Sequence, residues 1–178
     1  MCLNRGDTIG GRYQIDRSLK NGGVGTTYVA RDIHLPDNRE CVVKQIIPKS
    51  NNPLGLDEVR KRFKREAQAL SDLGRHSQIP QLFAYFEENG KFYLVQEFIE
   101  GHPLNEELAS GRQLNETEVI ELLLGILEVL DFVHQRQIIH RDIKPHNLIR
   151  REQDQKIVLI DFGAVKEIRN LTDRKSVV

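Results

Sequence analysis

His140-Arg141-Asp142-Ile143-Lys144-Pro145-His146-Asn147 is a charged stretch set between a hydrophobic helical pattern and a run of strand-forming residues. Asp142 and Asn147 lie five apart, and Asp161 follows within Asp161-Phe162-Gly163. Two carboxylates and a carboxamide converging on one spot suit a hydroxyl nucleophile and hard cations that take oxygen ligands. Singly, each residue has an ordinary role open to it. His140 could be a packed core histidine, Arg141 a surface arginine and Lys144 a solvated loop lysine.

Upstream of this stretch, Asn115 to Gln135 is the strongest helical pattern. Asn115 and Glu118 have capping-box spacing, and Val119, Leu122, Leu123, Ile126, Leu127, Leu130 and Val133 form one apolar stripe. Ile120, Leu124 and Val129 carry apolar character beyond that stripe, so burial on more than one side is expected. Downstream, Lys156 to Ile160 reads as a short buried strand that delivers Asp161.

The first half reads as a sheet with one helix. Residues 1–11 lack periodicity and read as a loose leader; Tyr13 to Asp32 reads as strand, glycine turn (Asn21-Gly22-Gly23, then Gly25) and strand. Glycines there suit a phosphate, because a backbone without Cβ approaches closely, although taken alone a bare hairpin is the commoner reason for them. Cys41 to Ile46 reads as a strand carrying Lys44, and Leu56 to Leu73 as a helix with Val59, Phe63, Ala67 and Leu70 on its inner face. Glu66 lies on the edge of that face, where a carboxylate is costly without a cation. Lys44 is one candidate partner, and an intrahelical pair with Arg62 is the other. Two further strands, Leu82–Glu87 and Phe92–Glu97, flank the hairpin signal Asn89-Gly90.

Together these segments resemble the eukaryotic-type (Hanks-type) serine/threonine protein kinases, in a bacterial and notably cyanobacterial form. The resemblance implies an α+β fold of two lobes. Residues 12–98 would form a complete N-lobe, with a five-stranded antiparallel sheet plus one helix, and residues 99–178 a partial helical C-lobe. It implies ATP and Mg²⁺, with transfer of the γ-phosphate to a Ser or Thr hydroxyl of a protein. Asp142 would accept the hydroxyl proton, Lys144 would neutralise γ-phosphate charge, and Lys44 with Glu66 would clamp the nucleotide. Asn147 and Asp161 would hold metal. Leu19, Gly22, Gly25, Glu97 and Ile99 would contact the nucleotide, with Gln96 lining the back of the slot.

Three departures from the family pattern stand out. Lys20 replaces the first glycine of the phosphate loop, Thr27 replaces its valine, and Pro103 sits where a ribose-contacting polar side chain is expected. Arg141 beside Asp142 implies control by phosphorylation, with Thr172 and Ser176 as the hydroxyl candidates.

The bulk numbers fit one domain. The chain has 178 residues, 39% hydrophobic, with 26 basic and 26 acidic side chains and a formal net charge of zero. That balance speaks against a partner bound through phosphate neutralisation, so no nucleic acid is expected. Cys2 and Cys41 are too few for a disulfide framework and fit a reducing, cytoplasmic setting. No basic-then-apolar stretch stands at residues 1–11, so no signal peptide is expected, and Glu121 and Glu128 break the longest apolar stretch, so no membrane span is expected. His134, His140 and His146 fall six apart, which suits no zinc site.

The resemblance covers residues 13 to about 166, roughly two-thirds of such a domain, without an Ala-Pro-Glu element. The expectation is a kinase cut within its activation segment, with doubtful activity and an apolar flank on the 115–135 helix open to a partner or a dimer. Two other functions stay open: a nucleotide-binding pseudokinase or interaction module, and a small-molecule phosphotransferase of the same fold.

Overall fold

Buried and exposed side chains alternate along Glu40–Ile46 (β4). Cys41, Val43 and Gln45 are fully buried on one face, while Val42, Lys44 and Ile46 are half-buried on the other. This strand is the axis of a computed structural model that describes residues 2–21, 25–48, 53–109, 111 and 113–167. Gly22, Thr172 and Ser176 lie outside the described residues.

The chain runs Thr8–Ile9 (β1), Tyr13–Asn21 (β2), Gly25–Asp32 (β3), β4 and then the helix Pro53–Leu73 (α1). Leu82–Glu88 (β5) and Lys91–Glu97 (β6) follow, joined through Asn89 (φ 51°) and Gly90 (φ 69°), as the Asn-Gly signal predicts. One antiparallel sheet has the order β1-β2-β3-β4-β6-β5. Five of its strands are those expected. The sixth, β1, comes from the leader, which is therefore not loose: Thr8 pairs with Gln14, and Ile9 is 3% exposed. Backbone pairing and one buried isoleucine anchor the segment, features that periodicity over so short a run does not reveal.

Beyond β6 come Gly101–Pro103 (β7), Leu104–Ala109 (α2) and Glu116–Gln135 (α3). Ile138–Ile139 (β8), a 3-10 turn at Pro145–Asn147, Leu148–Arg151 (β9), Ile157–Leu159 (β10) and Lys166–Glu167 (β11) complete the described chain. Strands β10, β9 and β7 form a small sheet, and β11 pairs with β8. Pro103 is spent in this sheet, paired with Ile149.

Two apolar clusters hold the molecule. One face of the large sheet packs Ile9, Tyr13, Ile15, Tyr28, Cys41 and Val43 together. The larger cluster joins Phe63, Ala67 and Leu70 of α1 to Val129 and Val133 of α3, to Leu148 and Leu159, and to Phe162. It crosses both lobes, so the residues between them are carried on one continuous core. Helix α3 begins with both halves of the capping box: Glu118 N–H donates to Asn115 Oδ1 (3.0 Å), and Asn115 N–H donates to Glu118 Oε2 (2.9 Å). The open apolar flank expected of this helix is present. Val129 and Val133 are buried where the helix packs against β10 and β8, while Ile120, Leu123, Leu124 and Leu127 on its other side are exposed.

Candidate active site

Strand alternation turns Lys44 away from the buried Cys41–Val43–Gln45 face, and helix α1 runs past it. Lys44 Nζ sits 2.6 Å from Glu66 Oε1 and 3.1 Å from Asp161 Oδ1. Glu66 is 4% exposed, so a cation is what makes its position tolerable. The competing intrahelical pair with Arg62 does not form. Burial works to lower the Lys44 pKa, but the charges of Glu66 and Asp161 outweigh it and hold the ammonium above the usual lysine value. Burial likewise works to raise the Asp161 carboxyl, yet Lys44, helped by the Gly163 N–H, keeps it below the usual carboxylate range.

The stretch 140–147 forms a second cluster around Asp142. Lys144 Nζ lies 3.0 Å from Asp142 Oδ1 and 2.7 Å from Oδ2. Asn147 Nδ2 donates to the Asp142 backbone oxygen and to its Oδ2, both at 2.9 Å. The Lys144 hydrogen bond, against partial burial and aided by Asn147, depresses the Asp142 pKa. Asn147 is 3% exposed, and Ile160 N–H donates to its backbone oxygen, so the end of β10 is tied to the loop.

His140 orders both clusters without facing solvent. Asp142 N–H donates to its Nδ1 (3.3 Å), which leaves the proton on Nε2, 3.2 Å from the Ile160 oxygen. The ring is 1% exposed and meets Phe162 edge-on, centroids 4.8 Å apart. Burial lowers its pKa. Its role is that of a packed core histidine which positions the loop. Arg141 (φ 65°) and Asp161 (φ 67°) both adopt left-handed backbone, costing about 1–3 kcal/mol each. Arg141 Nε donates to the Ala164 oxygen at 2.7 Å, which helps hold that conformation.

The remaining predicted nucleotide contacts are positioned less uniformly. Leu19 falls at a register shift of β2 and is 47% exposed. Gly25 has a packing reason of its own: a Cβ there would stand 2.0 Å from the Gln45 backbone oxygen, so only glycine lets β3 approach β4. Gln96 pairs with Val42 and is buried. Glu97 N–H donates to the Gln81 oxygen, whereas no backbone partner is found for Ile99 among the described residues.

Gln78 is a positioning residue that sequence reasoning missed. It is 2% exposed, and its Nε2 donates to the oxygens of Gly125 (2.8 Å) and Ile157 (3.0 Å) while Leu159 N–H donates to its backbone oxygen. It thereby sets the strand that leads to Asp161. A glutamine in a loop reads as surface, and no local pattern marks this one.

The donor set suits a hard cation. Both hydrogen bonds to Asp161 fall on Oδ1, leaving Oδ2 without one among the described residues, and Asn147 spends only its Nδ2. Two protein oxygens, with phosphate and water completing the shell, is the usual way magnesium is held.

Comparison with known proteins places this geometry among relatives. The model of the protein kinase domain matches residues 13–178. "Serine/threonine-protein kinase C" of Synechocystis sp. is 52% identical over 160 residues, covering 89% of this chain and 30% of that protein. "Serine/threonine-protein kinase PknA" of Nostoc sp. is 51% identical over 157 residues, covering 88% of this chain and 28% of that protein. The chain thus spans about 30% of the length of these curated relatives. Among solved structures, the PknI kinase domain of Mycobacterium tuberculosis superposes with a TM-score of 0.75 at 27% identity, covering 91% of this chain and 62% of that one.

Proposed function

Because this chain belongs to the protein kinase domain family, we propose that it carries the site of an ATP-dependent serine/threonine protein kinase. The observation that supports the reading best is Lys44 bound at once to Glu66 and Asp161, residues 22 and 117 positions away. A buried cation shared between a helix and the segment after β10 is a poor structural filler, because desolvating it costs more than an apolar replacement would. It is a good phosphate ligand.

In this reading Lys44 meets the nucleotide phosphates while Glu66 fixes its ammonium. The acceptor hydroxyl oxygen attacks the γ-phosphorus, the bond to the ADP oxygen breaks, and the hydroxyl proton passes to an Asp142 carboxylate oxygen. The depressed Asp142 pKa keeps that carboxylate ionised, so it orients the hydroxyl and takes its proton as the new bond forms. Lys144 offsets charge on the transferring group. Asn147 and Asp161 would hold magnesium, which when bound supplies charge neutralisation on the phosphates. Leu19, Gly22, Gly25, Glu97 and Ile99 belong to the nucleotide slot in the same reading.

The acceptor is a Ser or Thr of a protein, a choice favoured by Lys144 two residues after Asp142, as in the relatives' printed names. A reducing, cytoplasmic setting belongs to the same proposal, supported by two free cysteines and by ATP as donor. Among the described residues, no helix is long and apolar enough to cross a membrane.

The test is transfer of radiolabelled γ-phosphate by the protein carrying this chain, offered protein substrates or small alcohols. Labelled phosphoserine or phosphothreonine that disappears with Asp142→Asn is expected. Labelling of alcohols alone would assign a small-molecule phosphotransferase instead, and a melting temperature insensitive to Mg-ATP would sink the nucleotide site.

A further inference from the structure

Antiparallel partners that stand directly opposite each other share one face of a sheet. Thr27 on β3 is such a partner twice over, to Lys44 on β4 and to Lys20 on β2. The three side chains form one row across the sheet, on the face that presents Lys44 to Glu66 and Asp161. A bulge brings this about. The register shifts between Ser18 and Lys20, so Leu19 is the extra residue and Lys20 comes opposite Thr27. Strict alternation would turn Lys20 to the other face, where Ser18 stands opposite the buried Tyr28. Bulges beside binding sites commonly re-aim a side chain in this way.

The row's place and charge say what it meets. One row along, Val42 stands opposite Val29 and Gln96, next to Glu97, so the base end of the proposed slot lies there. The row of Lys20, Thr27 and Lys44 covers the phosphate end. Two strand spacings, about 10 Å, separate β2 from β4, and the residue between them is short and neutral. Lys44 and Lys144 are already matched to three carboxylates, those of Glu66, Asp161 and Asp142. Those two clusters alone carry an excess of negative charge, a poor match for a polyphosphate. Lys20 is exposed and supplies the missing positive charge. Pro103 has no hydrogen-bonding side chain to offer a ribose and is paired with Ile149, which shifts the weight of binding toward the phosphates.

We propose that Lys20 is a further nucleotide-binding residue, whose ammonium holds the polyphosphate of a nucleoside triphosphate from β2 while Lys44 holds it from β4. A side chain thus stands in for the glycine of the family pattern and adds a charge that a bare phosphate loop lacks. The proposal rests on the nucleotide site argued above.

Calorimetric titration of the 178-residue chain tests it. Lys20→Gln should weaken Mg-ATP binding about tenfold and leave adenosine unchanged. Lys20→Arg should keep most of the Mg-ATP affinity, and Arg31→Gln, an exposed cation toward the far end of β3, all of it. On unaltered protein, Mg-ATP but not adenosine should slow acetylation of Lys20, read by mass spectrometry of the peptide that contains it. Equal Mg-ATP affinity in wild type and Lys20→Gln, or a loss that adenosine shares in a variant of native melting temperature, overturns the role of Lys20 and leaves the nucleotide site standing. Acetylation that Mg-ATP does not slow does the same. A wild type that binds neither Mg-ATP nor adenosine removes the nucleotide site itself, and the role of Lys20 with it.

Discussion

A Cβ added to Gly163 would stand 3.1 Å from Glu66 Oε2, so the third residue of Asp161-Phe162-Gly163 leaves room for the helix carboxylate. The contact explains that glycine by space alone, without a special backbone angle. Glu66 is held by Lys44 and cannot swing freely. Gly163→Ala is therefore expected to displace Glu66 and loosen the Lys44 pair, at about 1–3 kcal/mol for overpacking. Calorimetric titration should show weaker Mg-ATP binding, while circular dichroism stays native.

Lys44→Met separates stability from function. It leaves Glu66 buried without its cation, a loss of about 3–5 kcal/mol. Adding Glu66→Leu removes the orphaned charge and should restore most of the denaturation midpoint, yet Mg-ATP binding stays lost in both variants. Recovery of nucleotide binding in the double variant would contradict the clamp. Lys44 contributes its stability in full below the ordinary lysine value of about 10.5, and loses it as pH rises from there through the raised folded value.

His140 predicts an acid-side decline. Its folded pKa is lowered by burial, so the unfolded chain binds the proton more readily. Stability should fall as pH drops below the ordinary histidine value of about 6.5, continuing to the folded pKa. His76, also lowered by burial, acts in the same sense. The depressed Asp161 and Asp142 carboxyls add a later loss, beginning below about pH 3.9. Urea midpoints measured between pH 7 and 5 should slope in wild type and slope less in His140→Gln. An unchanged slope would remove His140 from the account.

Asn115→Ala should cost about 1 kcal/mol, because it deletes the side chain that accepts from the Glu118 N–H. Thermal melting checks it, and Asn115→Ser should retain most of the stability since serine caps equally well.

What the sequence made readable follows from how local each cause is. The capping box spans four residues and forms as read. Glu66 is readable because a carboxylate on an apolar helix edge must find a cation, and the strand before it offers Lys44. Asp161 is readable from the apolar strand that delivers it. Gln78 is not, because its bonds to Gly125 and Ile157 join segments 47 and 79 positions distant. Nor are β7 and β9, which complete the small sheet beside β10 and, at three and four residues, are too short for a period. Gly25 shows a third case, in which a glycine read as a phosphate contact also has a packing cause that only the neighbouring strand reveals.

The leader provides the last prediction. Residues read as loose in fact thread the sheet edge, and Ile9 enters a core shared with Tyr13, Ile15 and Tyr28. Leu3 N–H donates to the Tyr28 hydroxyl (3.1 Å), which lies 3.5 Å from Gln45 Oε1, and Gln45 Nε2 donates to the Tyr93 hydroxyl at 3.0 Å. Because Gln45 follows Lys44 on β4, this buried chain fixes the strand from behind while Lys44 faces the other way. Ile9→Ala should cost about 2–5 kcal/mol, toward the lower end because β1 is short and lies at the sheet edge. Removing residues 2–11 should cost more and should also weaken Mg-ATP binding, since Gln45 loses one end of its support. A deletion that leaves both the melting temperature and the nucleotide affinity unchanged would show the leader to be an ornament of the sheet and not a brace for Lys44.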